Sequence, residues 1–175
     1  IAAQIFSYAR ATHRTTGNPA RDMSDNPYFK KPTVKHFEAI AQSDVPRLMT
    51  ALHKTGKAQK LDIKTVFALK LSIYTGLRDN SVRGARWREI DFERSVWTIP
   101  AQRMKSRKEF KVPLPLQAIE ALHTLKSLTF KDADSYLFPS SGKYGYMAEN
   151  TLRLALHRIG FKVTVHGMRS LITNV

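Results

Sequence analysis

The chain has 175 residues, of which 42% are hydrophobic, so it can bury the core of one ordinary domain. Its 29 lysines and arginines against 14 acidic residues give a formal net charge of +15, which favours nucleic acid as a partner. No apolar run approaches the roughly 20 residues that cross a bilayer, and no segment has signal-peptide character. Without cysteine there can be no disulfide and no thiolate metal site, which fits a cytoplasmic protein.

The first quarter of the chain predicts the end of one domain and a linker. Apolar residues recur at helical spacing over residues 1 to about 14, and Gly17 follows as a stop signal. Between residues 17 and 43 three prolines stand among polar residues, which favours an extended connector. We therefore place a domain boundary here, with residues 1–43 as a terminal helix plus linker and residues 44–175 as the main domain.

The main domain is predicted to be helical with one hairpin. In chain order its elements are a helix from Ser43 to Gly56, a buried helix from Ile63 to Gly76, a third helix from Asp79 or Asn80 through Trp87, strands at 96–99 and 110–114, a helix over 116–125, a buried turn at 137–139, a helix over 150–159 and a last helix from about His166. The basic stretch 103–108 then forms the hairpin tip. The predicted class is mainly α with a small antiparallel β-sheet (α+β), without internal repeats.

Basic residues stand at element ends that a compact domain could bring together. They are Arg78, Lys105 and the pair His166 and Arg169. Each alone has an ordinary structural explanation: a solvated charge at a helix end, an exposed hairpin lysine, a capping or packed histidine. Their order and their surroundings carry more information than any one of them.

Seven short motifs, taken in order, resemble the catalytic domain of phage and prophage integrases. They are Thr75-Gly76-Leu77-Arg78, Trp87-Arg88-Glu89-Ile90-Asp91, Trp97-Thr98-Ile99-Pro100, Met104-Lys105, Val112-Pro113-Leu114, Leu137-Phe138-Pro139 and His166-Gly167-Met168-Arg169. The resemblance covers residues 44 to 175, and it implies the tyrosine recombinase catalytic-domain fold. By the same resemblance, residues 1–43 are the end of a core-binding domain and the interdomain linker.

The resemblance implies DNA cutting and rejoining. In this family a tyrosine attacks a DNA phosphodiester, a 3′-phosphotyrosyl intermediate forms, and a 5′-hydroxyl later reverses the step. The family's two phosphate-gripping arginines match Arg78 and Arg169. Such a reaction needs fixed guanidinium groups, because charge concentrates on the non-bridging phosphate oxygens in the transition state.

The remaining basic residues are assigned in the same way. Lys105 matches the hairpin lysine that protonates the leaving 5′-oxygen, and His166 matches a histidine that assists proton transfer or orients the phosphate. Arg107 and Lys108 are close rivals of Lys105 for the proton-donating role, but together with Arg103 they are predicted to contact backbone phosphates. The chemistry implies no metal and no other cofactor.

Two departures from the family pattern matter. Ser81 stands where the family commonly has an acidic residue, three positions after its first arginine. All six tyrosines precede the His166 to Arg169 motif, so none matches the position of the nucleophile. We therefore expect the nucleophile to lie outside this chain, and the 175-residue chain alone to bind DNA without cutting it.

The partner implied by the family is double-stranded DNA at attachment sites, bound by a homotetramer of the full-length protein. The activity implied is integration or excision of a mobile element. One alternative is a non-catalytic, DNA-binding remnant of a decayed prophage integrase. Another is a basic module that binds RNA or a different acidic partner, but it leaves the ordered set of basic motifs unexplained.

Overall fold

The structure is a computed structural model that describes residues 1–26, 28, 40–54, 61–165 and 167. Its contacts divide the chain into two compact units, Ile1–His36 and Phe37–Val175. In the part that is described, no helix is long and apolar enough to cross a membrane.

The first unit contains two helices. Helix α1 spans Ala2–Ala11 and helix α2 spans Pro19–Asp25. Asn18 caps α2 with its side-chain oxygen, and its amide nitrogen donates to the carbonyl of Ala3 at 2.9 Å, which ties the two helices together. The extended connector predicted over residues 17–43 is therefore wrong for α2, because the proline that suggested a linker occupies the first helical turn, where its missing N–H costs nothing.

The second unit has the predicted class, mainly helical with a small antiparallel sheet. Its elements are α3 (Val45–His53), α4 (Ile63–Thr75), α5 (Asp79–Arg83), β1 (Ile90–Asp91), β2 (Val96–Ile99), β3 (Phe110–Pro113), α6 (Leu116–Thr129) and α7 (Thr151–Arg158), with 3₁₀ turns at Gln42–Asp44, Trp87–Glu89 and Ala101–Arg103. The third helix ends at Arg83 instead of continuing through Trp87. The predicted helix start near His166 and the predicted stop at Gly56 lie outside the described residues.

The sheet has the order β1-β2-β3, and both pairs of strands are antiparallel. In the hairpin, Trp97 lies opposite Val112 and Ile99 lies opposite Phe110. Trp97 and Ile99 are fully buried, so alternate residues of β2 face the core. Strand β1 was not predicted from the sequence, because a two-residue strand is too short to show an alternating pattern.

Helix α4 is the central element of the second unit and packs against α5, α6 and α7. It is buried over most of its circumference, including Val66, Leu69 and Leu71, as expected of a helix that is apolar on most of its sides. Asp62 caps its start by accepting a hydrogen bond from the backbone N–H of Lys64 at 2.7 Å. The cap fixes the start of the helix, and its other end leads into the candidate site.

Gly76 ends α4 in the left-handed conformation, with φ of 62°. We expect Gly76→Ala to lower the free energy of unfolding by about 1 kcal/mol, because a Cβ is strained at positive φ. Chemical denaturation of the two proteins measures the difference. Gly142→Ala is the matched control, since a Cβ there meets only Ser140 Oγ at 3.7 Å and its φ is not positive. Equal stability of Gly76→Ala and the parent chain would contradict the prediction.

The segment between α6 and α7 closes the core beside the sheet. Leu137 and Phe138 are fully buried, as the sequence predicted for this turn. Isolated β-bridges pair Arg86 with Tyr136 and Pro139 with Tyr146. The first bridge holds the segment against the residues that follow α5, and the second closes the segment on itself.

Candidate active site

Arg78 follows directly from the reversal at the end of α4. Gly76 turns the chain, Leu77 enters the core with 6% of its surface exposed, and Arg78 stands as the N-cap residue of α5. Its carbonyl accepts hydrogen bonds from the N–H groups of Ser81 at 2.9 Å and Val82 at 3.2 Å. The backbone of Arg78 is thus fixed between two helices, while the residue itself is exposed.

Two clefts meet at Arg78. The first, of about 290 Å³, extends from the turn between α4 and α5 to the hairpin, where Met104 and Phe110 line it. The second, of about 460 Å³, extends from Arg78 past Arg83 to Val165. Met104 immediately precedes Lys105, and Val165 immediately precedes His166. One cleft therefore leads from Arg78 to the residue before Lys105, and the other leads from Arg78 to the residue before His166.

The hairpin turn carries the next set of predicted residues. Lys105, Arg107 and Lys108 are exposed there. Arg107 has φ of 52°, and its N–H donates to the carbonyl of Met104 at 3.0 Å, which closes a turn around Lys105. Among the described residues none of these three cations forms an ion pair with a carboxylate. No described carboxylate therefore neutralises these three positive charges.

Arg103 lies in the 3₁₀ turn before the hairpin tip, and its partners are internal. Its Nη1 atom donates to the carboxylate of Glu89, and its Nη2 atom donates to the carbonyl of Ser81 at 2.6 Å. The side chain of Glu89 is only 3% exposed, and Trp97 Nε1 also donates to it at 3.1 Å. These contacts fit a structural role for Arg103 better than the phosphate contact predicted from the basic stretch.

A second ion pair lines the cleft that leads to Val165. Asp79 Oδ2 accepts a hydrogen bond from Arg83 Nε at 2.9 Å, and Arg83 Nη1 donates to the carbonyl of Met147 at 2.8 Å. Burial raises the pKa of Asp79; the attraction and hydrogen bond of Arg83 oppose that rise, and Glu149 adds to it. An acidic residue thus stands beside Arg78, although Ser81 occupies the position where the family commonly has one.

The other carboxylate oxygen of Asp79 is a buried acceptor. Its Oδ1 atom has no hydrogen-bond partner among the residues that the structure describes. Next to Val165, which lines the same cleft, Thr164 Oγ1 accepts a hydrogen bond from the N–H of Gly167 at 3.0 Å. His166 and Arg169, the two remaining predicted catalytic residues, lie outside the described residues.

Sequence reasoning missed Asp79, Arg83 and Glu89 as site residues. The spacing of four between Asp79 and Arg83 is a recognisable signal for an ion pair on a helix. Glu89 had no such signal, because its partner Arg103 is distant in sequence and only the fold buries the pair. Over the described ranges there is no group of three His, Asp or Glu side chains placed to hold a metal ion.

Comparison with known proteins identifies the family. The model of the phage integrase family matches residues 38–174. The integrase of Shigella phage Sf6 is 33% identical over 169 residues, covering 95% of this chain and 42% of that protein. The integrase of Enterobacteria phage P4 is 33% identical over 184 residues, and the prophage integrase IntS of Escherichia coli strain K12 is 32% identical over 169 residues. The chain belongs to the phage integrase family.

Solved structures share the fold at lower sequence identity. The Tn1549 transposon integrase in complex with transposon right end DNA has a TM-score of 0.61 at 15% identity, covering 98% of this chain and 64% of that one. The XerA recombinase has a TM-score of 0.57 at 19% identity, covering 82% of this chain and 53% of that one. The chain spans about two fifths of the length of the phage and prophage integrases above, which are 42%, 40% and 42% covered.

Proposed function

We propose that this chain is the main part of the catalytic domain of a site-specific DNA recombinase of the tyrosine type, acting in integration or excision of a mobile element. Residues 44–175 form this domain, and residues 1–43 are the end of a core-binding domain with its linker. The observation that carries the proposal is the meeting of two clefts at Arg78, one reaching the hairpin of Lys105 and the other reaching Val165, next to His166. The complexes of related integrases with DNA support double-stranded DNA as the partner.

In the proposed reaction each basic residue has one task. Arg78 and Arg169 neutralise the non-bridging oxygens of the scissile phosphate through their guanidinium groups. Lys105 protonates the leaving 5′-oxygen, and His166 assists proton transfer. A tyrosine supplies the nucleophile and forms the 3′-phosphotyrosyl bond; none of the six tyrosines of this chain is proposed for it, because none follows Arg169. The active assembly is a homotetramer on paired DNA sites.

The joining half of the reaction can be tested on the 175-residue chain itself, because it needs no nucleophilic tyrosine. The substrate is a nicked duplex with randomised flanks, carrying a 3′-p-nitrophenyl phosphate on one side of the nick and a 5′-hydroxyl on the other. The 5′-oxygen attacks phosphorus, p-nitrophenolate leaves, and the hydroxyl proton passes to Lys105, reversing its role in cutting. We expect joined strands and released p-nitrophenolate.

Two other outcomes would change the conclusion. If the chain binds the duplex but produces no joined strand above the uncatalysed level, the non-catalytic DNA-binding alternative is favoured. If an unmodified duplex becomes covalently attached to the chain, one of its own tyrosines is the nucleophile, and our assignment is wrong. Gel separation of joined strands and of protein–DNA adducts measures both.

DNA binding is expected to weaken steeply with salt, because the net charge is +15 and phosphate contacts release counterions. Replacing Arg107 with alanine is expected to reduce the slope of log affinity against log salt by about one, as for the loss of one phosphate contact. Fluorescence anisotropy at several salt concentrations measures the slope. Arg94→Ala is the matched control, since this exposed arginine faces Asp91 at 4.0 Å. A flat salt dependence of the parent chain would argue against nucleic-acid binding.

A further inference from the structure

The proposed reaction requires two cations from different elements to act on one phosphate. Arg78 comes from the turn between α4 and α5, whereas Lys105 comes from the hairpin between β2 and β3. Lys105 is exposed in a turn, and no ion pair with a described residue holds it near Arg78. The following inference rests on the proposed function and concerns what sets the relative position of these two residues.

Arg103 joins the two elements directly. It precedes Lys105 by two residues, and its Nη2 atom donates to the carbonyls of Ser81 at 2.6 Å and Asn80 at 3.4 Å, in the helix that Arg78 caps. Helix α5 is only five residues long, so few of its carbonyls have helical partners: the Asn80 carbonyl also accepts the N–H of Gly84 at 3.4 Å, and Arg103 supplies a side-chain donor to the Ser81 carbonyl. The Arg103 guanidinium therefore binds α5 on the hairpin side.

Glu89 fixes the other edge of the same guanidinium. Its carboxylate accepts from Arg103 Nη1 and from Nε1 of Trp97, which is fully buried in β2. The Glu89 side chain is 3% exposed and that of Arg103 is 22% exposed, so this pair is shielded from water far better than the surface pairs. A connected series of hydrogen bonds thus runs from β2 through Glu89 and Arg103 to the start of α5.

We propose that Arg103, held by Glu89, is a positioning residue that sets the hairpin so that Lys105 faces the phosphate bound by Arg78. Arginine suits this task because its planar fork bonds a carboxylate on one edge and backbone carbonyls on the other. A lysine keeps the charge but has a single ammonium group, which cannot span both. Since a misplacement of about 1 Å can lower a rate by about 10²-fold, loss of the bridge reduces catalysis even when Lys105 is intact.

A double-mutant cycle on the joining reaction tests the proposal. The rate at saturating nicked duplex is measured for the parent chain, Arg103→Lys, Lys105→Ala and the double variant. We expect Lys105→Ala to lower the rate by about 10²- to 10⁴-fold, as for loss of a general acid or base. Arg103→Lys is expected to lower it by about tenfold or more, and the double variant is expected to equal Lys105→Ala, because Arg103 acts only through that lysine.

Several results would overturn the positioning role while leaving the proposed function intact. If Lys105→Ala lowers the rate but the two losses multiply in the double variant, Arg103 acts independently of Lys105. If Arg103→Lys weakens DNA affinity and reduces its salt slope while the saturated rate stays unchanged, Arg103 is a phosphate contact, as its sequence position first suggested. By contrast, no loss on Lys105→Ala, or no joining by the parent chain, would overturn the proposed function itself.

Controls separate positioning from a general loss of structure. Arg94→Lys changes an exposed arginine in the turn between β1 and β2 and is expected to leave the rate and the affinity unchanged. Should Arg103→Lys fail to fold, as judged by circular dichroism, Glu89→Gln replaces it in the same cycle. That variant retains an oxygen for Trp97 and the volume of the side chain, but it removes the charge that holds Arg103.

Discussion

Replacing Arg78 with lysine is expected to lower the saturated joining rate by about 10²- to 10³-fold, the loss typical of removing one donor that stabilises transition-state charge. Lysine preserves the positive charge, so long-range attraction of DNA is retained. It cannot, however, present two parallel N–H groups to the phosphate oxygens. The rate and the DNA affinity are measured separately, and we expect the loss almost entirely in the rate.

The stability of Arg78→Lys should equal that of the parent chain, because Arg78 is exposed and its fixed contacts are made by its backbone. Arg88→Lys is a matched control: this arginine is also exposed, and Asp134 holds it at 2.6 Å. A full joining rate in Arg78→Lys would remove the central residue from the proposed site. If Arg78→Lys also lowers the free energy of unfolding, the loss of rate would reflect a disturbed fold and not the loss of a transition-state contact.

Replacing Glu89 with alanine is expected to lower the free energy of unfolding by about 3–5 kcal/mol, as for removing one partner of a buried ion pair. The loss arises because Arg103 keeps its charge in a shielded position and Trp97 loses the acceptor for its buried N–H. Urea denaturation followed by tryptophan fluorescence measures the change.

The matched control is Asp134→Ala, which breaks an exposed pair with Arg88 and is expected to cost about 1 kcal/mol or less. Adding Arg103→Met to Glu89→Ala should restore part of the lost stability, because no unpaired charge then remains. If Glu89→Ala lowers the free energy of unfolding by less than Asp134→Ala does, the buried pair does not stabilise the fold.

The sequence predicted the class of fold, the buried helix α4, the hairpin strands and the family correctly. These features depend on local signals: the stop at Gly76, apolar periodicity and motifs in a fixed order. The misassignment of α2 had an equally local cause, since a proline at a first helical turn and a proline in a linker look alike in sequence. Local patterns alone cannot separate these two uses of proline.

The candidate site was predictable only in part. Arg103 and Arg107 stand four positions apart in one basic stretch, and nothing in that stretch shows that one is bonded internally and the other exposed. The difference comes from Glu89, which reaches Arg103 only after β2 has folded back beside the Trp87–Glu89 turn. The roles of His166 and Arg169 remain predictions from the family resemblance.

The hydrogen bonds among Glu89, Trp97 and Arg103 also limit where this domain can be joined to that of a relative in a chimeric protein. A chimera whose boundary lies between Glu89 and Val96 would take the carboxylate from one parent and its two donors from the other. Exchange of residues 89–113 as one block keeps the three side chains from a single parent. The hairpin thus forms one exchangeable unit with Glu89, which precedes strand β2.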